Sequence, residues 1–347
     1  FDMPLALCVT AVWTGIAAEL EDGPRAPGRA GMFLAVALGV LDKGPVMLLW
    51  AVGGSLGAAL LLQSRAPLRW LAWWPGWLVV LGLAGGWFAL ALRRHPEYAR
   101  YAFLEESLER LTTGSFKREQ PWWFVPAVFA GGALPWSLAT PWRWPGSRAS
   151  RVAAGFVLFA WVFFSLSHSK LVTYLLPAFP AFAWWAAESW GAASGRRRRI
   201  AGIATAGFWI ALAAAMVWLH RERFVLVGPD LRPGAWLAMA CAGMTVIAVA
   251  ALFERGSWLR WPALAAFPVV VLVAGSGWLG YVAQRQSGAG LAEAVKSRGG
   301  GTVVYEDCYS PGSDYLLGRV SSVVSQDGRV LTSNYVLRYR ALLRSRG

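Results

Sequence analysis

Charge is scarce in this sequence. Asp, Glu, Lys and Arg make up only 15% of its 347 residues, against about 25% in an average soluble domain. So little polar surface cannot coat a water-soluble globule, which excludes a soluble enzyme, a coiled coil and a disordered tail. Cysteine is equally sparse: Cys8, Cys241 and Cys308 lie far apart, and there are only three His. No Cys-x-x-Cys, His-Glu-x-x-His or His/Cys cluster occurs, so neither a disulfide framework nor a protein-built metal site is indicated. Asparagine occurs once, at Asn334, and Lys only four times among the 33 basic residues. That bias towards Arg fits a GC-rich bacterial genome. The N-terminal residues, Phe1 and Asp2, lack an initiator Met and a basic stretch, so no signal peptide is visible.

What the chain has in abundance points to a bilayer. It is 56% hydrophobic, with a mean hydropathy of +0.44. It contains 22 Trp, 38 Gly and 19 Pro; Trp favours membrane interfaces, and Gly and Pro are tolerated in membrane helices. A span needs about 20 mostly apolar residues. On that rule roughly ten segments emerge, near 3–20, 28–41, 45–62, 70–92, 122–139, 152–167, 171–190, 199–219, 236–253 and 262–283. The expected fold class is an all-α polytopic membrane protein with about ten transmembrane or membrane-embedded helices. A small extracytoplasmic α/β domain is expected at its C-terminus.

The expected division is a helical domain over 1–284 and the appendage over 285–347. Beyond Tyr281 the composition turns polar, with β-like runs at Thr302–Tyr305, Val320–Ser325 and Arg329–Thr332 and a terminal helix over Ser333–Arg344. Five loops that fall on one side carry Arg25, Arg29, Arg65, Arg69, Arg143, Arg148, Arg151, the Arg196–Arg199 block, Arg255 and Arg260. The positive-inside rule makes that side cytoplasmic. Asp2, the Asp42–Pro45 turn, the 93–121 loop, the Ser167–Lys170 turn and the C-terminus then face outward. Within 93–121, Tyr98, Tyr101, Leu104, Leu108 and Leu111 recur at helical spacing, which predicts an amphipathic surface helix near 96–112.

The net charge of +14 fits anionic headgroups or a phosphate-bearing lipid rather than nucleic acid. Ionisable groups at membrane depth or at helix ends are costly and point to function. Three clusters qualify: Asp42-Lys43-Gly44-Pro45, the i,i+4 pair Glu106 and Arg110, and Ser165-Leu166-Ser167-His168-Ser169-Lys170-Leu171-Val172-Thr173-Tyr174. The first also reads as a plain polar turn and the second as an exposed ion pair. The third carries too many hydrogen-bonding side chains between two apolar runs for a simple turn.

The runs Leu41–Val46, Tyr101–Arg110 and Phe163–Pro177 resemble the bacterial aminoarabinose transferase and protein O-mannosyltransferase-like family, integral membrane glycosyltransferases of the GT-C fold. The matching residues include Lys43, Glu106, Arg110, Lys170, Tyr174 and Pro177. Asp42, Ser107 and Val172 depart from the family's usual Thr, His and Pro. Asp2-Met3-Pro4-Leu5 resembles the acidic start of one of its mid-chain helices. The family's main acidic residue is then expected upstream of Phe1, which leaves turnover by this chain alone in question.

The resemblance implies an inverting transfer of a sugar from a polyprenyl-phosphate donor to a lipid or protein acceptor on the extracytoplasmic face. The setting is the bacterial inner membrane. Lys43, Arg110 and Lys170 would hold the leaving phosphate, Glu106 would hold Arg110, and His168 and Tyr174 would line the donor site. Asp2 would be an auxiliary acid at the rim. No cofactor is required by this scheme, and a divalent metal is left open. Membrane lipids are expected partners and nucleic acid is not. The other readings of the same cations are a transporter or flippase of a phosphate-bearing lipid, or an inactive fragment.

Overall fold

The computed structural model describes residues 2–96, 120–134, 136–167, 170–204, 207–208, 210–211, 283 and 286–325. The chain divides into two compact units, Phe1–Ala204 and Thr205–Gly347; the change in composition at residue 285 lies inside the second. The surface helix near 96–112, the segments 236–253 and nearly all of 262–283 lie outside the described residues. So do the Arg329–Thr332 run, the Ser333–Arg344 helix, Glu106, Arg110 and His168.

The first unit is helical. Its elements are α1 (Asp2–Asp22), α2 (Ala26–Lys43), α3 (Val46–Leu62), a 3₁₀ turn over Ala66–Ala72 and α4 (Trp74–Arg94). Then follow α5 (Phe124–Gly132), α6 (Trp136–Ala139), α7 (Arg148–Leu166), a 3₁₀ turn over Val172–Leu175 and α8 (Ala178–Gly191). Helical turns resume over 195–204. Among the described residues α1, α4 and α7 are long and apolar enough to cross a membrane. Their outer faces carry exposed Leu7, Leu78, Leu81, Leu90, Val162 and Leu166, an apolar surface that only lipid would stabilise. The molecule is a helical, polytopic membrane protein.

Several elements depart from uniform spans at identifiable residues. The segment expected over 70–92 begins as the 3₁₀ turn, restarts at Trp74-Pro75, and contains a π turn at Leu81–Gly85. The 122–139 segment splits after Gly131-Gly132. The 171–190 segment opens as a 3₁₀ turn before Pro177, because proline suits a helix start and not its interior. The sixth segment instead extends back to Arg148, where Ser147 caps it: its hydroxyl accepts from the Ser150 amide at 3.0 Å.

Packing follows small residues. Glycines on α3 and α7 meet backbone to backbone: a Cβ on Gly155 would lie 2.2 Å from the Ala58 nitrogen, and one on Gly57 2.3 Å from the Gly155 carbonyl. Phe156 lies over Gly54 and Phe159 over Gly53, so Gly53-x-x-x-Gly57 forms the groove for α7. Trp50 closes the same contact against Phe159 and Phe164, with ring centroids 5.5 and 5.8 Å away. The buried Trp70 indole donates to Ser55 Oγ at 3.2 Å, and Ser55 donates to the Ala51 carbonyl at 2.6 Å. No polar atom of that pair is stranded.

Antiparallel α1 and α2 are pinned at both ends. At one end the Arg29 guanidinium forks onto Glu19, with Nε and Nη2 donating at 2.9 and 2.6 Å. Arg148 donates to the Leu20 carbonyl at 3.1 Å nearby. Glu188 at the end of α8 accepts the Gly146 and Ser147 amides, both at 2.9 Å, and the Ser147 and Ser150 hydroxyls. This is the arginine end of the bundle. The other end holds Lys43.

Within the second unit, α9 (Ala289–Ser297) precedes a βαβ step: β1 (Val304–Glu306), α10 (Pro311–Leu317) and β2 (Ser322–Val324). The strands run parallel, in the register Val304↔Ser322, Tyr305↔Val323 and Glu306↔Val324. Asp314 ties the step together. Its carboxylate accepts from the Ser321 hydroxyl at 2.5 Å, the Ser321 amide at 2.9 Å and the Tyr305 hydroxyl at 3.2 Å. The Ser321 hydroxyl first, then its amide, the Tyr305 hydroxyl and the Arg319 charge, hold the Asp314 carboxyl below its ordinary value. A depressed carboxyl contributes stability that is complete above the unfolded value of about 3.9 and is lost as pH falls through the lower folded one. Hydrogen-exchange protection in 304–324, relative to the intrinsic rate at each pH, should therefore fall on acidification below about pH 4 in the native chain, and the Asp314→Asn variant should lack that step. Identical acid profiles for both chains would remove Asp314 as the cause.

Candidate functional site

The site forms where α1 starts and α2 ends. Asp2 is the first residue of α1 and Lys43 the last of α2, so antiparallel packing brings them together, and the Lys43 ammonium donates to the Asp2 carboxylate. Gly44, at φ +73°, ends the helix there and donates its amide to the Val40 carbonyl at 2.8 Å. A left-handed residue at this point favours glycine. It lets Pro45 start α3 at once and keeps Lys43 at the rim, where its side chain is 22% exposed.

The Lys43 Nζ stands 5.5 Å from the centroid of the Tyr174 ring, a cation–π distance. Tyr174 leans on Phe164, 5.4 Å away, and Phe164 leans on Trp50. The α3–α7 contact thus supports the ring under the ammonium. Asp2, Lys43 and Tyr174, assigned separately from the sequence, form one cluster. Asp2 is the counter-ion of Lys43.

Lys170 belongs to the same 167–177 segment as Tyr174. It is 8% exposed, and its ammonium donates to the Ser167 carbonyl at 2.6 Å. Ser167 ends α7, its own amide bonded to the Phe163 carbonyl at 3.0 Å. No carboxylate pairs with Lys170 among the described residues. A nearly buried ammonium with a single neutral acceptor is costly, and an anion brought to it would recover that cost.

Asp42 contributes a feature the sequence did not reveal. Its Oδ2 is buried and has no hydrogen-bond partner among the described residues, although an acid beside Lys-Gly-Pro was visible as a departure from the family pattern. The Glu19–Arg29 fork and the Glu188 cradle were also not anticipated, because their partners lie 10 to 42 residues apart. Among the described residues no group of three or more His, Cys, Asp or Glu side chains is placed to hold a metal.

This architecture has a counterpart among solved structures. The ArnT crystal structure from Cupriavidus metallidurans bound to undecaprenyl phosphate superposes with a TM-score of 0.75 at 21% identity, covering 99% of this chain and 65% of that one. Its apo form gives 0.75 at 23% identity, covering 94% and 62%. In sequence, an undecaprenyl phosphate-alpha-4-amino-4-deoxy-L-arabinose arabinosyl transferase of Sodalis glossinidius is 31% identical over 258 residues, 69% of this chain and 45% of that protein. Over about two thirds of its length the chain is similar to the aminoarabinose transferases.

A second such transferase, from Pseudomonas fluorescens, is 28% identical over 178 residues, 49% of this chain and 32% of its own. The chain therefore spans less than half the length of these curated relatives. No protein-family model matches it. The resemblance read from the Lys-Gly-Pro and Ser-x-Ser-Lys runs holds, and on its aminoarabinose side: both relatives carry that sugar, not mannose, in their names.

Proposed function

We propose that this chain forms part of an inverting glycosyltransferase that moves a sugar from a polyprenyl-phosphate donor to a lipid acceptor. The observation that carries the reading is Lys170, a nearly buried cation without a carboxylate partner among the described residues, on the same 167–177 segment as the Tyr174 of the Lys43 cluster. ArnT from Cupriavidus metallidurans, whose fold the chain shares, is a protein solved with undecaprenyl phosphate. The curated relatives' names supply the sugar class, an aminopentose.

In the proposed reaction an acceptor oxygen attacks the anomeric carbon from the face opposite the phosphate. The carbon–oxygen bond to the phosphate breaks, and the leaving phosphate keeps the electron pair. That group needs cations more than a proton donor, which Lys43 and Lys170 supply, joined by Arg110. Tyr174 positions Lys43 through its ring, Asp2 steers the same ammonium, and Glu106 and His168 complete the donor side. The acceptor proton goes to a carboxylate acting as general base; we assign Asp2 only an auxiliary part in that step.

The Lys43 end is assigned to the extracytoplasmic side of the inner membrane, because the Arg-rich loops gather at the other end. The appendage over 285–347 is assigned to the extracytoplasmic side on its polar composition. The test uses membranes containing the complete protein, a radiolabelled polyprenyl-phosphate aminopentose and lipid A as acceptor. Label covalently attached to the lipid acceptor supports the reading. Label that only crosses the bilayer on an intact donor, or that attaches to protein, overturns it in favour of a flippase or a protein-directed transferase.

A further inference from the structure

A cleft that the proposed transfer chemistry does not use runs from Arg143, at the arginine end of the bundle, along α5, α7 and α8. Its volume is about 490 Å³, and Phe129, Trp142, Arg143, Trp161, Phe182 and Trp185 line most of it. Such a volume falls within the range of small-molecule sites. The rings form a continuous wall: Phe129 packs against Trp161 and Phe182 at 5.4 and 5.2 Å, and Trp142 against Phe182 and Trp185 at 5.4 and 5.0 Å.

Several polar atoms of that wall are already engaged. The Trp142 indole donates to the Ser137 carbonyl at 3.0 Å and the Trp185 indole to the Arg143 carbonyl at 3.0 Å. The Ser137 hydroxyl donates to the Ala130 carbonyl at 2.8 Å. Arg143 is the charged side chain of the lining. One of its terminal nitrogens donates to the Ala192 carbonyl at the end of α8, and its Nε and other terminal nitrogen have no partner among the described residues.

An occupant of this cleft must therefore present a hydrocarbon chain to the rings and one anionic group to a guanidinium. A soluble anion would leave the aromatic wall unused, a neutral lipid would leave Arg143 unpaired, and a zwitterionic lipid would bring a second cation beside it with its phosphate. The cleft also lies at the end where Arg29, Arg148 and Arg196–Arg199 are concentrated, and basic segments at a membrane surface draw anionic lipids. We infer that this cleft binds an anionic glycerophospholipid of the adjacent leaflet, with one acyl chain along the Phe129–Phe182 wall and its phosphate on Arg143.

The test is photolabelling of the complete protein in vesicles with diazirine-bearing phosphatidylglycerol or phosphatidylcholine, with labelled peptides mapped by mass spectrometry. Labelling at the peptides containing Phe129, Trp161 and Trp185 should be about fivefold stronger with phosphatidylglycerol, the weight of one basic side chain at an anionic surface. Arg143→Gln, which keeps a donor for Ala192, should abolish that preference. Ala130→Trp, which fills the cleft from its lining, should abolish labelling by both lipids while the helix content stays constant. Equal labelling by the two lipids overturns the inference. So does displacement of the label by polyprenyl phosphate at equimolar amounts, which would assign the cleft to the donor instead. Neither outcome touches the proposed transfer at the Lys43 end, which is read by sugar transfer alone.

Discussion

Replacing Lys170 with Met in the complete protein should lower sugar transfer by about 10²-fold or more, the usual effect of losing one donor that stabilises charge developing in a transition state. Met keeps most of the length and apolar stem of Lys, so the niche beside Ser167 stays filled. Folding should not suffer, because replacing a buried charge that has no carboxylate among the described residues by an apolar side chain of similar volume removes a desolvation cost. Among the described residues the ammonium makes one hydrogen bond, to the Ser167 carbonyl. The expected signature is thus a collapse of transfer with an unchanged or higher unfolding temperature. Lys170→Arg should retain part of the rate, since the charge survives in a bulkier form. Transfer within about twofold of the parent for Lys170→Met would mean that Lys170 does not hold the phosphate, because a clamp of this kind is worth far more.

The second large effect concerns the bundle itself. Gly155→Ala should sharply reduce the yield of folded, detergent-extracted protein. The added Cβ would lie 2.2 Å from the Ala58 nitrogen, and backbone cannot move aside as a side-chain tip can. Forcing α3 and α7 apart costs upward of about 3 kcal/mol by the scale of overpacked cores. It also withdraws Phe156 and Phe159 from the Gly53–Gly57 groove, together with the Phe164 surface that supports Tyr174. Gly131→Ala is the control: nothing lies within 4 Å of its added Cβ, so it should be neutral or slightly favourable through lower backbone entropy in the unfolded chain. If both variants extract equally well, glycine contact is not what holds α3 to α7.

Much of the site was legible in the linear sequence because its logic is local. Lys43 sits in a Lys-Gly-Pro turn whose glycine and proline announce a helix end and a helix start. Lys170 and Tyr174 share one short polar stretch between apolar runs. Asp2 was also noticed, yet its role as counter-ion depends on α1 and α2 being antiparallel neighbours of matched length, which brings residues 41 positions apart into contact. The breaks within expected spans were partly announced by Pro75, Pro177 and Gly131-Gly132. Hydropathy averaged over about 20 residues smooths such punctuation away.

The sequence by itself determined that the chain lives in a bilayer, roughly where its helices lie, and which cations stand at their ends. Those follow from composition and from apolar runs, which belong to each segment alone. Only the tertiary structure decided which helices touch and which charges are neutralised. It paired Lys43 with Asp2 and Tyr174, left Lys170 nearly buried without a carboxylate among the described residues, and built an aromatic cleft around Arg143. Lipid is as apolar as a leucine face, so hydrophobicity does not choose between neighbours inside a membrane. That choice falls to backbone contacts at glycines and to the few polar groups that must find one another.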